Sequence, residues 1–440
     1  MAWKTFDMSR SDVADDKVAL SDFRSTDQVA ITRGEYVMRL ADCAACHKLN
    51  FAGGYKIDTP FGSLVTSNIT PDVKTGIGAM IERVLQRGQT RHWLARPALS
   101  GNALHRLYHA QRQGHARLSG LHVNHRIGEQ GDQRKNAGMN FLYNIRLAIA
   151  GWDMLFFDNT QYITEVTQSE DWNRGKYLTD GPAHCGTCHT PRNLLGGERT
   201  DDYMQGALLG TWYAPDITPN PHTGIGNRSV DRLTTYLQTG SDGFAVAAGP
   251  MAEAVEHSFQ YYSTPDLQAI GTYLKSLAAS DHKPGKPMIM SEAASANAAL
   301  GYEVNCYACH GLEGEGIEGM VTAFAGNHRM LSDDPTNLIH TMLMGTRAPH
   351  TEARQAAAGM PSFAWKMSDQ EVADILNYVR NSWGNGAPAV TANQVAEMRA
   401  ALGAHEKLSA PKTRRCSDLD EKSSVAAVLL KAPLHPAVPF

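Results

Sequence analysis

Six of the seven cysteines fall into three pairs at one spacing: Cys43 and Cys46, Cys185 and Cys188, Cys306 and Cys309. Each pair is followed at once by a histidine, namely His47, His189 and His310. Cys-x-x-Cys-His is the attachment signature of c-type haem. Two thiols have to reach the two vinyl groups of one porphyrin while the adjacent imidazole reaches the iron from one face. Two intervening residues and a trailing His allow all three contacts from one short helical segment. A structural zinc site needs four ligands and usually a second Cys-x-x-Cys or a His-x-x-x-His partner, and none of the three pairs has one nearby. A thioredoxin-like redox pair has no need of the trailing His. With seven cysteines and 18 histidines in 440 residues, chance predicts roughly 0.005 such runs. The six cysteines are therefore read as attachment sites for three haems, and the three histidines as iron ligands. Cys416 stands outside the pattern.

An iron held by one His needs a second ligand on its other face, or it stays open to small molecules. A methionine thioether there raises the reduction potential, which suits electron transfer. The third unit offers Met360 in AGMPSF, 51 residues after Cys309, and the second offers Met251 in GPMAEAV, 63 residues after Cys188. Core packing is the commoner role of Met, but the Gly and Pro neighbours and the position ahead of a final helix favour ligation. Met367 competes with Met360 and ranks lower because it adjoins a helix cap. The first unit has no methionine between Met80 and Met139.

The elements that must position these residues also repeat. Residues 64–78 read LVTSNITPDVKTGIG and residues 212–226 read WYAPDITPNPHTGIG, sharing Ile-Thr-Pro and Thr-Gly-Ile-Gly in a loop that could wrap a haem edge. The third unit lacks it. A helix should deliver each cysteine pair: Val29, Tyr36, Val37 and Leu40 mark one face ahead of Cys43, and Ala294, Ala298 and Tyr302 another ahead of Cys306. In SDQEVADILNYV, Ser368 and Glu371 form a capping box, and Val372, Ile375, Leu376 and Val379 a buried stripe. Thr264 is the expected cap of a helix carrying Leu267, Ile270 and Leu274, with Pro265 at its first position. HKPGKP at 282–287 reads as a linker, the stretch 386–391 closes the third unit, and the remainder reads as a tail.

Residues 81–137 depart from this order. They hold six of the 18 histidines, nine arginines and one lysine against three acidic residues, and no capped amphipathic helix can be read in them. A local slip of reading frame restored near Gly138, a histidine ligand drawn from His105, His109 and His115, and an open ligand-binding haem with peroxidase-like chemistry all fit. A basic surface for an acidic partner fits less well.

The length suggests about three domains. A hydrophobic content of 42% and aromatic content of 8% are those of a globular protein. The net charge of -4 argues against a nucleic-acid binder. No stretch approaches the roughly 18 apolar residues of a membrane-spanning helix, and the run 425–430 is far too short. Membrane association is then expected only through a partner or a surface contact.

Three Cys-x-x-Cys-His units, with TSNITPDVKTGIG after the first and HCGTCHTPRN around the second, resemble the triheme cytochrome c subunit of bacterial membrane-bound alcohol, gluconate and related sugar or aldehyde dehydrogenases. The resemblance spans roughly residues 30–385, except 81–137. It implies an all-α chain of three tandem class I cytochrome c-like domains joined by loops and short linkers, over 28–150, 160–281 and 290–387, followed by a tail over 388–440. It implies three covalent haem c groups, with His47, His189, His310, Met251 and Met360 as iron ligands. It further implies a flavin-, quinone- or molybdenum-dependent dehydrogenase subunit as electron donor and ubiquinone or a terminal oxidase as acceptor. The methionine motif expected in the first domain is missing. A periplasmic location on the cytoplasmic membrane is expected, because covalent haem attachment takes place outside the cytoplasm; MAWKTFDMSRSDVADD shows no apolar core of a signal peptide.

Overall fold

Each Cys-x-x-Cys-His run stands just beyond a helix whose start is fixed by a side-chain cap. The computed structural model describes residues 27–59, most of 62–76, parts of 151–156 and 162–409. The segment 81–137, with His105, His109 and His115, and Cys416 lie outside the described residues. In the first unit the Asp27 carboxylate accepts from the Val29 amide at 2.9 Å and opens α1 (Gln28–Leu40), which leads into α2 (Cys43–His47). Strands β1 (Lys56–Thr59) and β2 (Gly62–Val65) then pair antiparallel, with Lys56 opposite Val65 and Thr59 opposite Gly62.

The second unit repeats the order. Ser169 caps α3 (Glu170–Asp180) through the Trp172 amide at 3.1 Å, and α4 (Cys185–His189) follows. Next come the hairpin β3 (Ala207–Leu209) and β4 (Trp212–Ala214), then α5 (Val230–Thr239), α6 (Gly249–His257) and α7 (Thr264–Ser276). Helix α3 packs along α7 with Gly175 at the crossing, where a Cβ would lie 1.9 Å from the Ala269 carbonyl oxygen. Leu178, Val255, Leu267 and Ile270, none more than 1% exposed, form the core beneath. The α7 cap is Ser263, whose hydroxyl accepts from the Asp266 amide at 3.3 Å. Thr264, the expected cap, is instead the first helical residue. Adjacent hydroxyl residues present the same signal, and the Pro265 ring fits either of the first two helical positions.

In the third unit Ser291 caps α8 (Glu292–Asn305), which runs into α9 (Tyr307–His310). Helix α10 (Thr336–Met344), the two-residue strands β5 (Thr346–Arg347) and β6 (Gly359–Met360), and α11 (Asp369–Asn381) follow. The capping box between Ser368 and Glu371 is present in both directions, and Val372, Ile375, Leu376 and Val379 are all 5% exposed or less. Arg380, with no exposed surface, donates to the carbonyls of Met330, Ser332 and Pro388. It thereby ties the segment after α9 to α11.

Two expectations are corrected. Val29 is 62% exposed because it lies in the first turn of α1, before the helix meets the second unit; Leu40, 3% exposed, and Tyr36 of the same expected face do pack on the second unit's core. The tail does not begin at 388. Helix α12 (Ala392–Ser409) packs on the third unit's core through Val395 and Leu402; its apolar residues are too widely spaced to announce a stripe. The linker around 282–287 does lack helix and strand.

The units are joined through specific groups. Tyr36 of α1 donates to Asp266 of α7 at 2.6 Å, and the Tyr262 hydroxyl donates to the Leu40 carbonyl at 2.7 Å. Trp212 stacks on His340 of α10 with ring centroids 3.9 Å apart. Among the described residues no helix is long and apolar enough to cross a membrane.

Candidate haem-binding sites

The repeated loop fixes the first two histidines in one way. His47 Nδ1 lies 2.7 Å from the Ser67 carbonyl oxygen, and His189 Nδ1 lies 2.6 Å from that of Pro215. Ser67 and Pro215 occupy the same position of the repeat. His310 Nδ1 lies 3.1 Å from the Thr322 carbonyl oxygen and its ring stacks on Phe324 at 4.2 Å, so the third unit reaches the same arrangement with different chain. A carbonyl can only accept, so each Nδ1 carries the proton and each Nε2 keeps its lone pair. Burial lowers all three histidine pKa values, against the opposing carbonyl bond, and His189 falls to about 4. The imidazoles are therefore neutral at neutral pH, with Nε2 available to a metal.

The loop itself is built twice from the same contacts. Asn68 Oδ1 accepts from the Thr70 amide at 2.9 Å, and Asp216 Oδ1 from the Thr218 amide at 2.7 Å, an Asx turn in each case. The other branch reaches the hydroxyl seven residues on. Asn68 Nδ2 donates to Thr75 Oγ1 at 2.9 Å, whereas Thr223 Oγ1 donates to Asp216 Oδ2 at 2.9 Å. A threonine hydroxyl serves either role, which lets Asn and Asp exchange. Gly76 and Gly224 close the turn; a Cβ on either would stand 2.2 Å from the Thr70 or the Thr218 carbonyl oxygen.

Cys43 and Cys306 are not poised as thiolates. Burial pushes the Cys43 thiol up to about 12, helped by the Asp42 charge, and the Cys306 thiol up to about 11. A reactive or zinc-binding cysteine would sit in the opposite environment. No group of three or more His, Cys, Asp or Glu suited to a metal ion occurs among the described residues. Thiols three residues apart on a short helix, beside a neutral imidazole with a free Nε2, fit a thioether-linked porphyrin with one histidine on its iron.

The two methionines stand on the corresponding cores. Met251, in the first turn of α6, packs partly buried against the same cluster as Cys185; Met360, in β6, does so against the cluster that contains Cys306. Met367 is 7% exposed inside the third core, and packing accounts for it. Met204, absent from the sequence reading, is fully buried, with its amide bonded to Thr190 Oγ1 at 3.1 Å beside His189. No pattern marked it, because it lies in an irregular loop at positive φ.

A family model described as cytochrome c matches residues 295–383. The chain is 32% identical to the gluconate 2-dehydrogenase cytochrome c subunit of Pantoea cypripedii, over 87% of this chain and 92% of that protein. It is 34% identical to the fructose dehydrogenase cytochrome subunit of Gluconobacter japonicus, over 86% and 84%. It is 32% identical to the cytochrome c subunit of the quinone-type alcohol dehydrogenase of Gluconobacter oxydans (strain 621H), over 86% and 83%. Identity sustained over most of the length of each relative, on a largely helical chain with three Cys-x-x-Cys-His runs, places this protein in the family of cytochrome c subunits of gluconate, fructose and alcohol dehydrogenases.

Proposed function

We propose that this chain is the electron-transfer subunit of a dehydrogenase complex. It is built as three tandem class I cytochrome c-like domains over 28–150, 160–281 and 290–387, the last extended by α12, each holding one covalent haem c. Haem c supplies a one-electron ferric/ferrous couple. The chain's own residues supply the rest. Cys43 and Cys46, Cys185 and Cys188, and Cys306 and Cys309 anchor the porphyrins, and His47, His189 and His310 present Nε2 to the irons. Met251 and Met360 supply the thioether that favours the reduced state in the second and third units. The donor is a flavin-, quinone- or molybdenum-dependent dehydrogenase subunit, and the acceptor is ubiquinone or a terminal oxidase. The location is periplasmic, with the chain held at the cytoplasmic membrane through its partner.

The observation that carries this reading is the Nδ1-to-carbonyl bond at all three histidines that directly follow a Cys-x-x-Cys pair; His340 and His350 make the same kind of bond but follow no cysteine pair. A pyridine haemochrome assay on the purified, acid-acetone-washed chain tests it. Three haems per polypeptide are expected. Haem that washes out, or fewer than three, would overturn the reading.

A further inference from the structure

Arg329 belongs to the third unit but points into the second. Its backbone sits in a short 3-10 turn, His328–Leu331, whose amide at Arg329 is capped by Asn327 Oδ1 at 3.0 Å. Arg380 holds the next residue through the Met330 carbonyl at 3.0 Å. From this fixed base the guanidinium crosses to the repeated loop, and Nη1 lies 3.4 Å from both the Asp216 and the Thr223 carbonyl oxygens. These flank the turn that begins beside Pro215, the residue holding His189. The contact is close enough for the Arg329 charge to act on His189.

The charges around Arg329 do not balance. Arg228 pairs with Asp242 at 3.1 Å, and Arg232 shares the same carboxylate at 3.3 Å. Asp216 spends one oxygen on the Thr218 amide and the other on the Thr223 and Ser280 hydroxyls, with His282 Nδ1 3.7 Å away. Among the described residues Arg329 forms no ion pair, and its two hydrogen bonds are long. Desolvation and the neighbouring Arg228 bring its pKa down to about 10, despite Tyr236, Asp216 and Asp242. A guanidinium left without a carboxylate in a partly buried site costs free energy unless an anion joins it. A porphyrin fixed to Cys185 and Cys188 brings two carboxylates into this unit.

We propose that Arg329, reaching across from the third unit beside Arg228, is the positioning residue that pairs with a propionate of the haem bound at Cys185, Cys188 and His189. The second unit's haem site is then incomplete without the third unit. This rests on the haem assignment proposed above. Its consequence is electrical. A fixed positive charge near the porphyrin favours the ferrous over the ferric iron and keeps the propionate ionised, so that this potential varies little with pH.

Potentiometric titration of the intact holoprotein tests it, with haem counted on every sample. Arg329→Gln is expected to retain three haems while one midpoint falls and the other two stay. At fixed potential the reduced-to-oxidised ratio of that haem drops about tenfold, or about 59 mV for one electron. The same midpoint is expected to become more pH-dependent between about pH 5 and 8, as the propionate titrates higher. Arg329→Lys, which keeps the charge without the planar fork, should show a smaller fall of the same sign, and it serves alone if the Gln variant does not accumulate. Three haems with unmoved midpoints in Arg329→Gln would overturn the inference and leave the haem reading standing. A common shift of all three midpoints would also overturn it. A wild-type chain without haem at Cys185 and Cys188 would overturn both.

Discussion

Asn337 holds Tyr213 by both ends of its backbone: the Tyr213 amide donates to Asn337 Oδ1 at 2.8 Å, and Asn337 Nδ2 donates to the Tyr213 carbonyl at 2.7 Å. The side-chain amide thus continues the edge of β4 as a neighbouring strand would, and it does so from the third unit. Trp212, one residue earlier, is locked between His340 and Gly249, whose added Cβ would stand 2.5 Å from the indole.

Asn337→Ala removes both bonds and leaves a backbone amide and a carbonyl without their partner. Orphaned groups of this kind cost about 1–3 kcal/mol. Chemical denaturation followed by tryptophan fluorescence should show that loss. An unchanged midpoint would mean that water replaces the amide.

The first and second units meet at Asp266. Burial acts to raise its pKa, but hydrogen bonds from Arg174 at 2.6 Å and Tyr36 at 2.6 Å outweigh burial and hold it below the usual carboxylate range. A depressed pKa in the folded state gives stability that is present above the unfolded value, near 3.9, and lost as pH falls through the folded value. The contribution of Asp266 to stability should therefore be level above about pH 5 and decline in acid. Asp266→Asn should be weaker near neutrality by about 1–3 kcal/mol, with a shallower decline below pH 4. Denaturation midpoints measured across pH settle the point, and parallel curves for the two proteins would rule it out.

Gly224 has no room for a side chain against the Thr218 carbonyl. Gly224→Ala must open the turn that carries Pro215, and with it the bond to His189. The expected result is a protein with three attached haems, one of them with altered spin or potential. A substituted protein with wild-type spectra would show that the loop yields without moving Pro215.

Met251→Ala and Met360→Ala should each convert one haem to a high-spin or open form and lower its potential, read by optical and electron paramagnetic resonance spectra. Met367→Ala should leave every haem low-spin and cost about 2–5 kcal/mol as a cavity. A high-spin signal from Met367→Ala would exchange its role with that of Met360.

Most of the helical frame can be read in the sequence, because caps and stripes are local. Ser368, Glu371, Val372 and Ile375 announce α11 within eight residues, and Leu267, Ile270 and Leu274 announce α7. The six cysteines and three histidines are equally open to reading, since in each unit one short helix and its cap bring two cysteines and a histidine together. The groups that aim the histidines are not. Ser67, Pro215 and Thr322 contribute backbone oxygens, and a carbonyl leaves no mark on residue choice. Contacts between units were equally hidden: nothing near Asn337 or Arg329 hints that its partner lies more than a hundred residues earlier. Helix α12 escaped because its buried residues, Val395 and Leu402, stand seven apart among small and polar neighbours.

The carbonyl that orients each histidine also shapes how these sites respond to change. Serine stands at position 67 where proline stands at 215, and the oxygen arrives in the same place. Point substitutions there should pass largely unnoticed, while the gain or loss of a single residue between His189 and Pro215 would shift the oxygen out of reach. The vulnerability of these centres lies in the spacing of the chain more than in its alphabet.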